Sequence, residues 1–331
     1  MLPAVVAHAD WSIHAKKRWL ACATRQPGGD WHITRTELVG HTESLLQQLT
    51  TRAVLDGPLL VGFDFPIGLP RAYAEAAGVR NFREALLKLG TGDWSEFFTP
   101  ASQLNEVTVQ RPFYPAGNTR KGEANRADFA RTLGVVPYDQ LLRECESRTS
   151  TRNAACALFW TLGRNQVGKA AISGWQEILA PALRDDRNVG LWPFDGTLNE
   201  LLAKHTTVLA ETYPGEFYGH LGLDLRKRDD DETKSGKTSQ GTRRLNATAL
   251  LNNARRLNCQ TDNDATTEIA NGFGSRADGE DRFDAFVGLL GMINVVVGVR
   301  PEGQSSDPRH RRIEGWILGQ DASAKPRIDQ H

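Results

Sequence analysis

Three apolar segments of the sequence each end in a single acidic residue. VVAHAD ends at Asp10, LLVGFD ends at Asp64 and TVLAE ends at Glu211. Apolar runs of this kind are typical of central strands that are buried on both faces of an α/β sheet. Ligands of open α/β sheets bind just beyond the carboxyl ends of parallel strands, so acids at these positions can converge on one point. The sequence therefore predicts an α/β fold with an acidic site at one edge of its sheet.

The other predicted elements complete this pattern. Residues 3–10, 18–24 and 31–38 are predicted strands joined by short polar turns, which indicates an antiparallel meander. Residues 41–54 have leucines at helical spacing. Because this helix separates the meander from the strand at 59–64, we expect a right-handed crossover that makes the new strand parallel to the first.

The longest predicted helix, residues 280–297, carries a fourth acid. Asp284, Gly288, Gly291 and Val295 fall on one stripe of it. Glycines let a helix approach a neighbouring backbone closely, so we expect this stripe to lie against the sheet near the strand ends. An acid on a packed stripe is costly unless it is paired or bound to a metal. Asp281 lies on the same stripe as a candidate supporting acid, and its place in the first helical turn also suits the helix dipole.

Asp10, Asp64, Glu211 and Asp284 form a ligand set made only of carboxylate oxygens. Without compensation such acids repel each other and raise each other's pKa, and a divalent cation removes that conflict. Oxygen ligands suit Mg²⁺ or Mn²⁺ rather than zinc. One or two such ions support the hydrolysis of a phosphodiester. Each acid also has a purely structural interpretation, as a turn former or as a carboxylate paired with backbone or arginine.

Four motifs, GFDFPIGLP, AETYPGEFY, DRFDAFVGLL and EGWIL, follow one another along the chain. With the meander and crossover they resemble a widespread uncharacterised family of predicted ribonuclease H-like nucleases, over residues 1–70, 205–222 and 280–320. The resemblance implies a mixed five-stranded sheet of order 3-2-1-4-5, with strand 2 antiparallel and helices on its sides. It also implies that Asp10, Asp64, Glu211 and Asp284 are the catalytic and metal-binding residues of a nuclease. The turn WSIHAKKRW departs from the family, whose members are often glycine-rich there.

The predicted core is discontinuous, since the sheet pattern is interrupted after residue 70 and resumes near 205. Residues 1–70 and 205–320 form the core in this prediction, and residues 71–204 form a mainly helical insertion that recognises the substrate. The polar stretch 226–244 predicts a mobile, solvated loop. The polar tail 320–331 is expected to fray.

Further candidates surround the four acids. His8 shares a strand face with Asp10, and Glu314 begins the EGWIL motif; both are candidate supporting residues, with a buried core histidine and a helix cap as the plainer interpretations. A chain of zero net charge that binds nucleic acid needs a local basic patch. The candidates for phosphate binding are Arg226, Lys227, Arg243, Arg244 and Arg311.

Two other functions remain open. An actin-like ATPase or kinase shares the superfold, but it binds phosphate through glycine-rich hairpins that the first turn here lacks, and the chain has no Gly-x-x-x-x-Gly-Lys-Ser/Thr motif. A non-catalytic module that binds metal or ligand would keep the acids without hydrolysis. A glycosidase, which needs only two carboxylates, ranks last.

Composition places the chain among ordinary globular proteins. Four scattered cysteines with no CxxC pair, and no basic leader at the start, favour a cytoplasmic protein with reduced thiols. The longest apolar run, near residue 290, is shorter than a membrane span, so no membrane association is expected. Nucleic acid, RNA or DNA, is the expected partner, and the oligomeric state is left open.

Overall fold

The computed structural model describes residues 1–117, 124–148, 154–162, 167–185, 188–226, 236–305 and 307–321. The chain divides into two compact units. Unit 1 comprises Met1–Asp64, Asn188–Leu191 and Thr197–Glu302, and unit 2 comprises Phe65–Arg187, Trp192–Gly196 and Gly303–His331. Residues 303–320, which the sequence grouped with the core, thus lie in unit 2. The Leu69 N–H donates to the Ile313 carbonyl there at 2.8 Å, which ties the two segments together.

All strands of the described residues lie in unit 1. They are β1 Val5–Asp10, β2 Trp19–Arg25, β3 Trp31–Ile33, β4 Glu37–Leu38, β5 Leu59–Phe63, β6 Val189–Leu191, β7 Thr207–Glu211 and β8 Cys259–Thr261.

The helices are divided between the units. They are α1 Leu45–Thr50, α2 Arg71–Ala76, α3 Phe82–Leu86, α4 Arg126–Thr132, α5 Val167–Gly174, α6 Ala180–Asp185, α7 Leu198–Lys204, α8 Pro214–Phe217, α9 Gln240–Leu245, α10 Ala247–Arg256, α11 Asn263–Ala270, α12 Gly279–Val296 and α13 Pro308–Ile313. Short 3-10 turns include Ala15–Lys17, Glu144–Glu146 and Gly236–Thr238. A π-helical turn, Trp175–Leu179, joins α5 to α6.

The strands form one mixed sheet of eight, in the order β6-β7-β5-β1-β2-β3-β8, with β4 paired to β2. β1 pairs antiparallel with β2 and parallel with β5, and β5 pairs parallel with β7. The predicted α/β class with a mixed sheet is confirmed. The sheet has eight strands where the sequence predicted five, because β6 and β8 add one strand at each end and the predicted strand at 31–38 is split into β3 and β4.

Helix α12 is the central helix of unit 1 and packs against β1 and β2. Fourteen of its eighteen residues are buried, which explains its nearly continuous apolar sequence. A Cβ on Gly288 would lie 2.3–2.4 Å from atoms of the His8 ring, and a Cβ on Gly291 would lie 2.2 Å from Phe217. Both positions therefore need glycine, because the helix approaches its neighbours too closely for a methyl group.

Unit 2 has its own core, which is rich in aromatic side chains. The rings of Phe97, Phe113 and Phe159 contact one another edge to face, and Phe97 stacks on Trp175. The buried Arg143 pairs with Glu146 at 2.9 Å and donates to the carbonyls of Ile67 and Glu314. A buried charge is tolerated here because it is paired and hydrogen-bonded.

Of the predicted mobile loop 226–244, residues 227–235 lie outside the described residues. The prediction is wrong for residues 236–244, because Gly236–Thr238 form a 3-10 turn, α9 begins at Gln240, and Ser239, Thr242 and Arg243 are buried. Most of the predicted frayed tail 320–331 lies outside the described residues, which end at 321. Within the described ranges, no helix combines the length and apolarity needed to traverse a bilayer.

Candidate active site

Asp10, at the end of β1, and Asp64, just after β5, are neighbours at the carboxyl ends of the two central strands. Ala9 pairs with Phe63 in the parallel register of β1 and β5, so the next residues of the two strands are neighbours at the carboxyl ends. The backbone N–H of Trp11 donates to Asp64 Oδ1 at 2.7 Å, and the backbone N–H of Asp64 donates to Ala9 O at 3.4 Å. These contacts fix the position of the Asp64 carboxylate beside the end of β1.

The Asp10 and Asp64 side chains lie on the sheet face that α12 covers. His8 and Gly62 pair in register, and His8 contacts α12 through a 3.1 Å hydrogen bond between its Nδ1 and the Ala285 carbonyl. Side chains two residues apart along a strand share a face. Asp10 and Asp64, which follow His8 and Gly62 by two residues, therefore project toward α12.

Helix α12 brings Asp284 to these two acids. Asp284 lies one turn before Gly288, the residue in close contact with His8. Its carboxylate is buried and accepts a hydrogen bond of 2.5 Å from the Tyr218 hydroxyl. The close packing of α12 on β1 thus holds Asp284 near the strand ends, and the carboxylates of Asp10, Asp64 and Asp284 interact electrostatically.

The pKa values of these acids reflect a shared, partly dehydrated site. Burial, followed by the charges of Asp64, Asp284 and Asp281, raises the pKa of Asp10 well above its ordinary value. Burial and Asp284 raise the pKa of Asp64 to about 7, against the opposing effect of the Trp11 N–H. Burial, Glu280 and Asp284 raise the pKa of Asp281 to about 6. Dehydration combined with like charge produces such shifts, and they are typical of functional carboxylate sites.

A lysine that the sequence did not single out lies among these acids. The Lys237 ammonium contacts Asp284 Oδ2 closely and lies 3.2 Å from Glu280 Oε1. Its charge also lowers the pKa of Asp10 and Asp64. Lys237 lies within the polar stretch 226–244, where a lysine has no sequence signal to separate it from its neighbours.

Glu211 lies on the other face of the sheet by its register. It pairs with Phe63 across β5 and β7, and Phe63 pairs with Ala9. Residues aligned across parallel strands share a face, so this row projects away from α12, as the contact between the Phe63 and Trp11 rings shows. Glu211 is buried, but its Cβ is directed away from the face that carries Asp10 and Asp64.

His8 has a structural role in this arrangement. It is fully buried, its Nδ1 bonds to the Ala285 carbonyl, and burial lowers its pKa to about 3. The imidazole is therefore neutral and serves as the contact surface for α12. Of the two candidate supporting residues in unit 1, Asp281 lies in the electrostatic field of the acids and His8 supports the helix.

The candidate phosphate-binding residues are in different environments. Arg243 is buried, and its guanidinium donates to the carbonyls of Gly272, Lys237 and Gly274, so in this structure it holds backbone segments together. Arg226 is exposed beside Asp224, and Arg244 is exposed. Arg311, in unit 2, donates to Gln304 Oε1. Lys227 lies outside the described residues.

Glu314 belongs to a polar cluster of unit 2. Its carboxylate accepts the backbone N–H groups of Arg71 at 2.9 Å and of Glu144 at 2.7 Å. His310 Nδ1 lies 2.5 Å from Glu144 Oε2. Over the described chain, Glu144, His310 and Glu314 are the one His/Cys/Asp/Glu group whose ligand atoms all lie within 4.8 Å. Asp10, Asp64 and Asp284 are not drawn together that tightly, and the close neighbour of Asp284 is the Lys237 ammonium.

The acids of unit 1 suit a divalent cation by their chemistry. All the donors are carboxylate oxygens, the ligand type that Mg²⁺ and Mn²⁺ prefer. Burial, and then the neighbouring carboxylates, raise the pKa of Asp10 and Asp64 despite the opposing charge of Lys237. The structure thus defines an α/β protein with a half-buried acidic cluster at the carboxyl ends of its central strands. Comparison of the chain with protein-family models, curated proteins and solved structures found no match in any of the three.

Proposed function

We propose that the protein is a divalent-metal-dependent phosphodiester hydrolase that acts on nucleic acid, with its site at Asp10, Asp64 and Asp284. The observation that carries the proposal is the meeting of these acids, from the ends of β1 and β5 and from α12, at a site where burial and their like charges raise the pKa of Asp10 and Asp64. Mg²⁺ or Mn²⁺ is the proposed cofactor, because it relieves this repulsion and binds through carboxylate oxygens.

The order of the strands supports a ribonuclease H-like assignment. Five neighbouring strands of the sheet follow the order β3-β2-β1-β5-β7, and β2 is antiparallel to β1. The whole sheet has eight strands and is not a five-stranded sheet of order 3-2-1-4-5, but this central part is compatible with the order that the sequence resemblance implies. The motifs around Asp64 and Asp284 carry the same resemblance. We therefore propose membership of the ribonuclease H-like superfamily.

The residues of the cluster have separable roles in this proposal. Asp10, Asp64 and Asp284 would hold the cation, which when bound supplies an activated water and neutralises phosphate charge. The Tyr218 hydroxyl orients one oxygen of Asp284, and the Trp11 N–H orients Asp64. Glu211, the fourth acid of the sequence prediction, has a register position that favours a supporting role over direct coordination.

A cavity of about 520 Å³ lies in unit 1, and its lining includes residues paired with or adjacent to the acids but not Asp10, Asp64 or Asp284 themselves. Its lining includes Trp19, which pairs with Asp10 across β1 and β2, and Arg282, which follows Asp281 in α12. The Arg282 guanidinium lies 4.0 Å over the Trp19 ring, and Arg35 lines the same cavity. Glu37, Asp264 and Glu268 line the same cavity, and Arg282 pairs with Glu268 at 3.2 Å, so the cavity has no excess of positive charge.

The direct test is a cleavage assay on single- and double-stranded RNA and DNA with Mg²⁺ or Mn²⁺. We expect cleavage that requires the metal and that Asp10→Asn abolishes, since the variant removes a ligand charge without changing the size of the side chain. Asp56→Asn is the matched control, because Asp56 is an exposed residue before β5. Cleavage that survives Asp10→Asn, or metal binding without hydrolysis of any of these substrates, would contradict the proposal.

A further inference from the structure

Lys237 is the one described lysine in ion-pair contact with the acidic cluster. Its ammonium contacts Asp284 and Glu280, and its charge also acts on Asp10, Asp64 and Asp281. Burial acts to lower the pKa of Lys237, but Asp284, the Tyr218 hydroxyl and Glu280 together raise it above its ordinary value, so the side chain stays charged. In this structure the ammonium is therefore the main positive charge inside the cluster.

The turn that carries Lys237 is anchored by buried groups. The guanidinium of Arg243 donates to the Lys237 carbonyl at 2.6 Å and also to the carbonyls of Gly272 and Gly274. Ser239, which is buried, donates its backbone N–H to Gly236 and accepts the Thr242 N–H on its side chain. A surface lysine that is simply solvated does not need a buried arginine to hold its backbone. The anchored turn thus positions the Lys237 ammonium against the Asp284 carboxylate.

An ammonium and a divalent cation bound to the Asp284 carboxylate oppose each other. Each would lie within about 3 Å of a carboxylate oxygen, and two positive charges so close together repel strongly where water is scarce. The contact between Lys237 and Asp284 therefore disfavours metal binding, and metal binding favours movement of Lys237 away from Asp284. Lys237 retains a partly exposed side chain, with 35% of its surface accessible, which gives it a way out toward solvent.

We propose that Lys237 is a built-in counter-ion that holds the cluster together without metal and competes with the divalent cation for Asp284. The proposal rests on the proposed metal site and adds its regulation. The competition lowers the affinity for metal, so the site is assembled only when the cation concentration is high enough to displace the ammonium. Removing the ammonium should accordingly tighten metal binding, which a merely structural lysine would not do.

The test compares Lys237→Met with Lys17→Met, using free Mn²⁺ measured by electron paramagnetic resonance. Lys17 is an exposed lysine whose charge also acts on Asp281, so the control removes the same charge without breaking the contact to Asp284. We expect Lys237→Met to lower the Kd for Mn²⁺ at least tenfold. We expect Lys17→Met to change it less than threefold. Lys237→Gln serves as a second variant if the methionine variant does not fold.

An unchanged or weaker Mn²⁺ affinity in both Lys237 variants would overturn the proposal. The proposed function would survive that result if wild-type protein bound Mn²⁺ and Asp284→Asn lost it. If neither the wild type nor the Lys237 variants bound Mn²⁺, both the counter-ion proposal and the proposed function would be contradicted. A metal-free measurement gives an independent check, since in EDTA Lys237→Met should melt at a lower temperature than Lys17→Met. Equal melting temperatures of the two variants would contradict the proposed counter-ion role of Lys237.

Discussion

The contact between Gly288 and His8 gives a quantitative test of how α12 is positioned. A methyl group at residue 288 would lie 2.3–2.4 Å from three atoms of the His8 ring, whereas ordinary carbon contacts are about 3.5–4.0 Å. Helix α12 or the imidazole must therefore move by about 1 Å in Gly288→Ala. Neither moves easily, because His8 and the middle of α12 are fully buried.

The energy of this change can be estimated from its parts. Overpacking of a core costs about 1–3 kcal/mol, and loss of the buried hydrogen bond from His8 to Ala285 costs about 1 kcal/mol more. Alanine is more favourable than glycine in a helix interior by about 1 kcal/mol, which offsets part of this cost. We therefore expect Gly288→Ala to reduce the free energy of unfolding by about 1–3 kcal/mol, measured by urea denaturation.

A matched control and a double variant test whether the close packing of Gly288 on His8 causes the loss of stability. Gly219 has an ordinary φ, and a methyl group added there would meet no atom within 4 Å, so Gly219→Ala should change stability by less than about 0.5 kcal/mol. His8→Ala combined with Gly288→Ala should cost less than the sum of the single changes, because the new methyl group fills part of the space that the ring leaves. Equal urea midpoints for Gly288→Ala and Gly219→Ala would refute the packing argument.

The remaining predictions concern the charges of unit 1. Because burial and Asp284 raise the pKa of Asp64 to about 7, the folded protein binds a proton that the unfolded chain has released, so unfolding free energy in EDTA should fall from about pH 4 to pH 7; a flat profile would contradict this. Glu211→Gln should keep Mn²⁺ affinity within about threefold in a titration, whereas Asp64→Asn should lose at least tenfold; equal losses would return Glu211 to the ligand set. Arg243→Met leaves three carbonyls without donors and should destabilise the fold by about 3 kcal/mol or more in urea; an unchanged midpoint would show that the Lys237 turn needs no anchor.

The central strands and α12 could be predicted because their sequences are long and consistent. The predicted strand at 207–211 coincides with β7, and the helix predicted at 280–297 corresponds to Gly279–Val296. β6 and β8 were missed, because three residues each are too short to carry a periodic pattern. The predicted strand at 31–38 breaks between β3 and β4, where the Thr36 N–H and hydroxyl bond to the distant Glu268 carboxylate.

The site could be predicted only in part, for a geometric reason. The position of an acid at a strand end follows from the sequence, and this pattern alone was enough to predict where Asp10 and Asp64 lie along their strands. The face on which the side chain lies depends on register, which can shift by a single residue, and this separates Glu211 from the other acids. Lys237 could not be found at all, because its place depends on the tertiary contacts of Arg243 rather than on any local pattern.

The acidic site is tested most directly by a crystal structure of the protein soaked in Mn²⁺, with the ion located by its anomalous scattering. We expect an ion bound by the carboxylates of Asp10, Asp64 and Asp284, with the Lys237 ammonium moved away from Asp284. A soaked crystal in which Lys237 still contacts Asp284 and Mn²⁺ is found only at Glu144, His310 and Glu314, or nowhere, would contradict this expectation.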